Sequence, residues 1–144
     1  MAEQVIDASV AIKWLVKQEP FRNQARQLLR DAQLNTISLI GPPLLEYEVE
    51  SSLQRRLYYG RTTTKAVDAS LNSFYALRIR IVSHRDVIAH AREIARRFNQ
   101  ECIYDSVYAA LADLRGCEFW TADKVFYDTV HAELKFVKYL PDYP

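Results

Sequence analysis

The chain has 144 residues, of which 49% are hydrophobic and 12% aromatic, and this size and composition predict one globular domain spanning residues 1–144. Its 19 basic and 18 acidic side chains give a formal net charge of +1. That balance argues against a polybasic protein held to nucleic acid by charge alone, but it leaves a nucleic-acid substrate open. Two cysteines and three glycines are too few for a disulfide framework, a zinc site made of cysteines alone or a glycine-rich phosphate loop.

Predicted strands and helices alternate along the first half of the chain. Runs of β-branched and apolar residues predict strands at 4–7 and 36–40. The spacing of apolar residues predicts four helices, at 10–16, 20–32, 43–59 and 64–77. Pro20 stands where the first turn of a helix tolerates proline. In the helix at 43–59, apolar residues recur every four positions from Leu45 to Leu57, so one stripe is expected to face the core.

The second half continues the alternation. Strands are predicted at 79–82, 117–121 and 134–137, and helices at 86–98, from Asp105 to the residue before Gly116, and at 124–130. In the helix at 86–98 the residues expected to point inward are Ile88, Ala91, Ile94 and Ala95. Strands that alternate with helices predict an α/β protein: a three-layer α/β/α sandwich around a central, mainly parallel sheet of about five strands.

Three aspartates are expected to meet at one edge of this sheet. Asp7 and Asp123 directly follow predicted strands, and Asp105 begins a predicted helix. In a parallel sheet the carboxyl ends of strands and the starts of the following helices share an edge. Three crowded carboxylates repel one another, and a hard divalent cation such as Mg²⁺ would relieve that repulsion. The alternative is that each aspartate only caps a helix.

The helix at 43–59 adds further acids to this set of candidates. Glu46, Glu48 and Glu50 all lie off its apolar stripe, so periodicity does not choose among them. A solvated acidic face is the alternative role for any of the three.

Four segments, in this order along the chain, resemble the motifs of the PIN-domain family, and especially those of VapC-type toxins. They are DAS at 7–9 followed by KW at 13–14, LEYEVESSL at 45–53, YDSVYAALA at 104–112, and WTADKVF at 120–126. Together they cover nearly the whole chain. Glu50, Ser51 and Ser106 depart from the residues common in relatives, but no expected carboxylate is lost.

The resemblance implies a PIN-like fold and a metal-dependent endoribonuclease that acts as the toxin of a type II toxin–antitoxin pair. Asp7 and Asp105 would be the principal ligands of Mg²⁺ or Mn²⁺, and Asp123 a further ligand, direct or through water. In the family's second motif the acid directly before Val is the functional one, which selects Glu48 to hold or help deprotonate a water molecule. A divalent cation would act there as a Lewis acid on the phosphate and would lower the pKa of water.

Four other residues are candidates for supporting roles. The hydroxyls of Ser9 and Thr121 could orient the carboxylates, although helix capping or solvation is the alternative. Lys13 and Lys124 each follow soon after a site carboxylate and are expected to contact RNA phosphates. The arginines near the end of the third helix and on the helix at 86–98 could do the same, with a solvated face as the alternative; they are Arg55, Arg56, Arg61, Arg92, Arg96 and Arg97.

The resemblance also implies partners. A VapC-like protein commonly forms a homodimer and is neutralised by a small VapB-like antitoxin. Tyr58, Tyr59, Phe74 and Tyr75 are candidates for a dimer face, or else for the ordinary core. The amino-terminal residues contain no signal-peptide pattern, and no apolar run approaches the roughly 20 residues of a membrane span. A cytoplasmic protein with a structured RNA substrate, such as transfer or ribosomal RNA, is therefore expected.

Three other functions were weighed against the ribonuclease. A catalytically silent PIN module, acting as a binding scaffold, would have lost at least one carboxylate. A phosphoacceptor receiver domain would place an acidic pair near the first strand and a lysine at the end of a later one. A haloacid-dehalogenase-like phosphatase would need Asp-x-Asp after the first strand, where this chain has Asp7-Ala8-Ser9.

Overall fold

The computed structural model describes residues 2–144. It has five strands, namely β1 (Ala2–Ile6), β2 (Ile37–Gly41), β3 (Arg80–Ile81), β4 (Glu118–Thr121) and β5 (Val137–Tyr139). The helices are α1 (Ala8–Leu15), α2 (Arg22–Gln33), α3 (Leu44–Tyr58), α4 (Thr64–Ala76), α5 (Val87–Arg97), α6 (Tyr104–Arg115) and α7 (Lys124–Val130), with a 3₁₀ turn at Leu140–Asp142. The predicted alternation of strands and helices is confirmed.

The strands form one parallel sheet in the order β3-β2-β1-β4-β5. Val5 of β1 pairs with Ile40 on one side and with Phe119 on the other, so β1 is the central strand. The chain moves from β1 outward to β2 and β3 and then crosses to β4, on the opposite side of β1. The order therefore reverses between β1 and β4. In open α/β sheets ligands bind at such a reversal, beyond the carboxyl ends of the strands.

Helices flank the sheet in two groups. Helix α1 packs against α2, α3 and α4, whereas α5 packs against α6. Right-handed crossovers place the helices of the β1–β2–β3 connections on one face and those of the β3–β4–β5 connections on the other. The predicted three-layer α/β/α architecture with a parallel five-stranded sheet is confirmed. Val5, Ile6 and Phe119 of its central strands are fully buried, because helices cover both faces of the sheet.

Local capping sets where several helices begin and end. The Asp7 carboxylate accepts a hydrogen bond from the Val10 amide at 3.2 Å, and the Thr63 hydroxyl accepts one from the Ala66 amide at 3.1 Å. Each bond satisfies an amide that the first turn of a helix leaves without a partner. Gly116 ends α6 with φ at 66°, a left-handed conformation that costs glycine little.

Three local predictions are wrong. Ile88 is 59% exposed, because the buried stripe of α5 runs through Ala91 and Ile94 and continues to Val87, one position and about 100° away from Ile88. The predicted strand at 134–137 starts only at Val137, since the amides of Leu134 and Val137 bond within local turns. Pro20 precedes α2 rather than lying in its first turn.

Within residues 2–144, no helix is both long and apolar enough to cross a lipid bilayer.

Candidate active site

The carboxylate of Asp7 is held in place from both sides. Asp7 directly follows β1 and is only 3% exposed. Its Oδ1 accepts a hydrogen bond from the Ser9 hydroxyl at 2.5 Å, and its Oδ2 accepts one from the Thr121 hydroxyl at 2.5 Å. Thr121 ends β4, the strand that pairs with β1 at the reversal of strand order. The sheet topology therefore brings together two residues that are 114 positions apart in the chain.

Ser9 and Thr121 also fix the loop that follows β4. The Ser9 hydroxyl accepts a hydrogen bond from the Ala122 amide at 2.9 Å, and the Thr121 hydroxyl accepts one from the Asp123 amide at 3.1 Å. Each hydroxyl thus donates to Asp7 and accepts from the backbone beside Asp123. The two hydroxyls join the first aspartate of the site to the segment that carries another.

Asp123 and Asp105 enter the site in different ways. Asp123 is the N-cap of α7, and its Oδ1 accepts a hydrogen bond from the Phe126 amide at 3.0 Å. Asp105 is the second residue of α6, whose N-cap is Ile103 with no side-chain hydrogen bond. Asp7 and Asp123 therefore each cap a helix, which is one role for these side chains. Asp105 is not the N-cap of α6, so capping does not explain its position.

Of the three glutamates on α3, Glu48 is the one in the site. The Tyr108 hydroxyl donates a hydrogen bond to Glu48 Oε1 at 2.5 Å. Glu50 is exposed and accepts a hydrogen bond from the Tyr75 hydroxyl at 2.7 Å. The ring of Tyr108 is fully buried and stacks on Phe119 of β4, with 5.8 Å between ring centroids. The rigid position of Tyr108 fixes the position of the Glu48 carboxylate.

No functional role was predicted for Tyr108 from the sequence. One signal was available, because Tyr108 lies three positions after Asp105 and therefore on the same face of α6. The burial of its ring and the hydrogen bond between its hydroxyl and Glu48 both raise its pKa, so the phenol stays protonated and remains a hydrogen-bond donor.

Neighbouring carboxylates in the site change the ionisation of Asp105 and Asp7. Burial raises the pKa of Asp105 to about 7, and the charges of Asp7, Asp123 and Glu48 contribute in the same direction. Burial also raises the pKa of Asp7 to about 6, although the hydrogen bonds from Ser9 and Thr121 oppose this effect. The candidate site is therefore a cluster of acids in which the charges of Asp7, Asp123 and Glu48 oppose the ionisation of Asp105.

A cavity of about 710 Å³ opens beside this cluster. Glu48 and Ser9 line it near the carboxylates, and three cations line it as well: Lys13, Arg55 and Arg56. Lys13 is only 5% exposed, and its Nζ lies 3.6 Å from Glu19. Of the two lysines predicted to contact substrate, Lys13 lines this cavity and Lys124 does not. Lys124 Nζ pairs with Asp128 at 2.6 Å.

The other predicted arginines lie apart from the cavity at the carboxylates. Arg61 lines a separate pocket with residues of α4. Arg92 and Arg96 line another between the end of α5 and the start of α6, and Arg97 pairs with Glu133 at 2.5 Å.

The donor chemistry of the site fits a hard divalent cation, because all four acids offer carboxylate oxygens. Within residues 2–144, however, no group of three or more His, Cys, Asp or Glu side chains is arranged so that it could hold a metal ion. Both oxygens of Asp7 and one oxygen each of Glu48 and Asp123 already accept from protein donors.

Fold and site together define an α/β protein with a carboxylate-rich centre at the switch point of a parallel sheet. The PIN domain family model matches residues 5–132, and the chain belongs to the PIN-domain family. PIN domains are generally nucleases and generally use divalent metal ions, which supports a hydrolase.

One solved structure shows the same fold over nearly the full length of both chains. This is the crystal structure of PAE2754 from Pyrobaculum aerophilum, with a TM-score of 0.69 and 16% sequence identity over 96% of this chain and 91% of that chain. At this identity the likeness concerns the fold alone. Comparison with curated proteins gives no significant match.

Proposed function

We propose that the protein is a Mg²⁺- or Mn²⁺-dependent endoribonuclease, acting in the cytoplasm as the toxin of a toxin–antitoxin pair and cutting a structured RNA such as transfer or ribosomal RNA. The observation that carries the proposal is the convergence of Asp7, Glu48, Asp105 and Asp123. Thr121 bonds both the Asp7 carboxylate and the Asp123 amide, and Tyr108, one turn after Asp105 on α6, bonds Glu48. The four motifs that resemble VapC-type toxins support the toxin role.

In this proposal each acid has a distinct task. Asp7 and Asp105 are the principal metal ligands, and Asp123 is a further ligand. A bound Mg²⁺ or Mn²⁺ would supply Lewis acidity at the phosphate and would lower the pKa of a nearby water molecule. Glu48 accepts a proton from the attacking water or orients that water, and Tyr108 holds its carboxylate in position through the 2.5 Å hydrogen bond. Ser9 and Thr121 orient Asp7.

The cations of the cavity support a polyanionic substrate. Lys13, Arg55 and Arg56 line one cavity with Glu48, so a phosphodiester placed at the acids has positive side chains within the same cavity for its neighbouring phosphates. This local separation of charge is compatible with the formal net charge of only +1.

Expression of the wild type and of Asp7→Asn, followed by sequencing of new RNA 5′ ends, tests the ribonuclease. We expect defined cleavage sites in the wild-type culture and none of them in the variant culture. Identical cleavage maps and equal growth arrest would exclude a metal nuclease. A short reading frame for a DNA-binding antitoxin directly upstream would favour the toxin role over a stand-alone nuclease.

Loss of the Thr121 hydroxyl tests how Asp7 is oriented. Thr121→Val is expected to weaken Mn²⁺ binding about 10- to 100-fold, because Asp7 then loses the donor that fixes its Oδ2. Isothermal titration calorimetry with Mn²⁺ measures the change. Thr129→Val is the control, since the Thr129 hydroxyl bonds only the Val125 carbonyl on the exposed side of α7. Equal Mn²⁺ affinities for wild type and Thr121→Val would contradict the proposal that Thr121 orients the Asp7 carboxylate.

Exposed aromatic residues on α3 and α4 support the proposed homodimer. Phe74 is buried at 3% exposure and belongs to the core, whereas Tyr58 is 78%, Tyr59 64% and Tyr75 44% exposed. We expect the double substitution Tyr58→Ala/Tyr59→Ala to shift a wild-type dimer towards monomer in sedimentation equilibrium. Ile88→Ala, at an exposed apolar residue of α5, serves as the control. A monomeric wild type contradicts the dimer.

The catalytically silent PIN module is the second candidate function. A silent module predicts that Mn²⁺ neither binds nor stabilises the protein, and that Asp7→Asn leaves every activity unchanged.

A further inference from the structure

We propose that Tyr47 and Tyr104 form a base-stacking subsite beside the carboxylates, which holds bases of the RNA substrate. Both tyrosines line the same cavity as Glu48, Lys13 and Arg55. The inference rests on the proposed ribonuclease and names two residues that would hold its substrate.

The exposure of the two rings is the first observation. Tyr47 is 72% and Tyr104 55% exposed, and neither hydroxyl makes a hydrogen bond to another residue within 2–144. Each tyrosine directly precedes a site acid in the chain, Glu48 on α3 and Asp105 on α6. Two large aromatic side chains are thus presented to solvent on the helices that carry the acids, where their faces are free to stack on bases.

The arrangement of α3 supplies the second observation. Tyr47, Ser51 and Arg55 are spaced by four residues, so they form one column along the helix and all line the cavity. Along the helix axis, Tyr47 and Arg55 are about 12 Å apart, at 1.5 Å per residue. A nucleotide strand lying along it would meet an aromatic face near the acids and a cation further on.

Arg55 differs from its neighbouring cations in its partners. Arg56 and Lys13 both pair with Glu19, at 3.4 and 3.6 Å, whereas Arg55 makes no ion pair within residues 2–144. No ion pair therefore offsets the charge of Arg55, whereas Glu19 offsets the charges of Lys13 and Arg56. Its guanidinium is suited to phosphate, because its planar donors can contact two phosphate oxygens at once.

These features favour single-stranded RNA over a duplex. In an A-form duplex each base is covered on both faces by its neighbours, and an aromatic side chain cannot stack on it. Bases in loops, bulges and ends can turn outward, and stacking on an aromatic side chain contributes roughly 1–3 kcal/mol per base. The two tyrosines would therefore contact bases that are not stacked within a duplex.

Binding of a fluorescein-labelled octa-adenylate RNA, measured by anisotropy in EDTA so that no metal is present for cleavage, tests the subsite. Tyr47→Leu is expected to weaken binding about 5- to 150-fold, the equivalent of one lost stacking contact. Tyr47→Phe keeps the aromatic face and is expected to bind within about twofold of wild type. Tyr104→Leu and Tyr104→Phe form the same matched pair, and Leu34→Ala, at a residue 73% exposed on the end of α2, controls for a general loss of apolar surface.

An octamer of the same sugar-phosphate backbone without bases provides the second measurement. The wild type is expected to bind it more weakly than octa-adenylate, and the double variant Tyr47→Leu/Tyr104→Leu is expected to bind both octamers equally. The subsite is overturned if the leucine variants of both tyrosines bind octa-adenylate as the wild type does, or if the wild type does not distinguish the two octamers. These measurements detect RNA binding and do not depend on cleavage. A failure of the proposed ribonuclease would instead appear as RNA cleavage that Asp7→Asn does not change.

Discussion

Replacing Asp7 with Asn is expected to lower the rate of Mn²⁺-dependent RNA cleavage by roughly 10³-fold or more. Metal-ion stabilisation of transition-state charge contributes several kcal/mol, and each 1.4 kcal/mol or so is tenfold in rate. Asn keeps the size of Asp and an oxygen that can accept from the Val10 amide, the bond that caps α1. It removes the negative charge that would bind the cation.

The measurement is single-turnover cleavage of an RNA containing a site mapped in cells, over a range of Mn²⁺ concentrations. Asp68→Asn is the matched control, because Asp68 is exposed on α4 and forms no ion pair within residues 2–144. That variant should cleave as the wild type does. Cleavage by Asp7→Asn within tenfold of wild type, with the fold intact by circular dichroism, would be incompatible with a ligand role for Asp7.

Asp105→Asn is expected to stabilise the metal-free protein by about 1–3 kcal/mol at pH 8 while abolishing cleavage. The Asp105 carboxyl has a pKa of about 7 in the folded protein, against 3.8 for an ordinary aspartate. Below pH 4 both folded and unfolded chains hold its proton. As the pH rises from about 4 through 7, the unfolded chain ionises freely and the folded protein loses stability. Asn resembles the protonated form and avoids that loss.

Urea unfolding at pH 4.5 and pH 8, with and without Mn²⁺, measures this effect. The gain of Asp105→Asn over wild type should be larger at pH 8 than at pH 4.5. Mn²⁺ should stabilise the wild type, because a ligand that binds only the folded state shifts unfolding by mass action, and it should stabilise the variant much less. Asp68→Asn again serves as the control at both pH values. A variant less stable than wild type at pH 8 would show that the acids do not repel one another as the structure indicates.

These two predictions describe one property of the site. The carboxylates destabilise the metal-free fold through burial and mutual repulsion, and the same repulsion would be relieved by a divalent cation. The hydrogen bonds from Ser9, Thr121 and Tyr108 hold three of the oxygens in fixed directions.

Local patterns in the sequence predicted most of the fold. Apolar periodicity located the strands and helices, and their alternation implied a parallel sheet, because each parallel connection needs a crossover that a helix provides. The errors at Ile88 and at residues 134–137 share a cause. Near the end of an element, burial and backbone bonding depend on the neighbours it meets, which periodicity does not describe.

The acids of the site were also predictable, in two different ways. The positions of Asp7 and Asp123 followed from strand ends in a parallel sheet, and both proved to be helix caps as well as members of the cluster. Glu48 could not be separated from Glu46 and Glu50 by periodicity, and only the resemblance to a family motif selected it. In the structure Glu48 accepts a hydrogen bond from Tyr108, 60 positions along the chain.

What the sequence by itself determined is the set of elements and the parallel sheet, because these depend on periodicity and on the alternation of strands and helices within the chain. The roles of the carboxylates stay a prediction. What only the tertiary structure decided is how residues far apart in the chain meet. The reversal of strand order between β1 and β4 places Thr121 against Asp7, and the overall fold brings Tyr108 of α6 against Glu48 of α3. Such contacts depend on the packing of whole layers, so no local pattern could specify them.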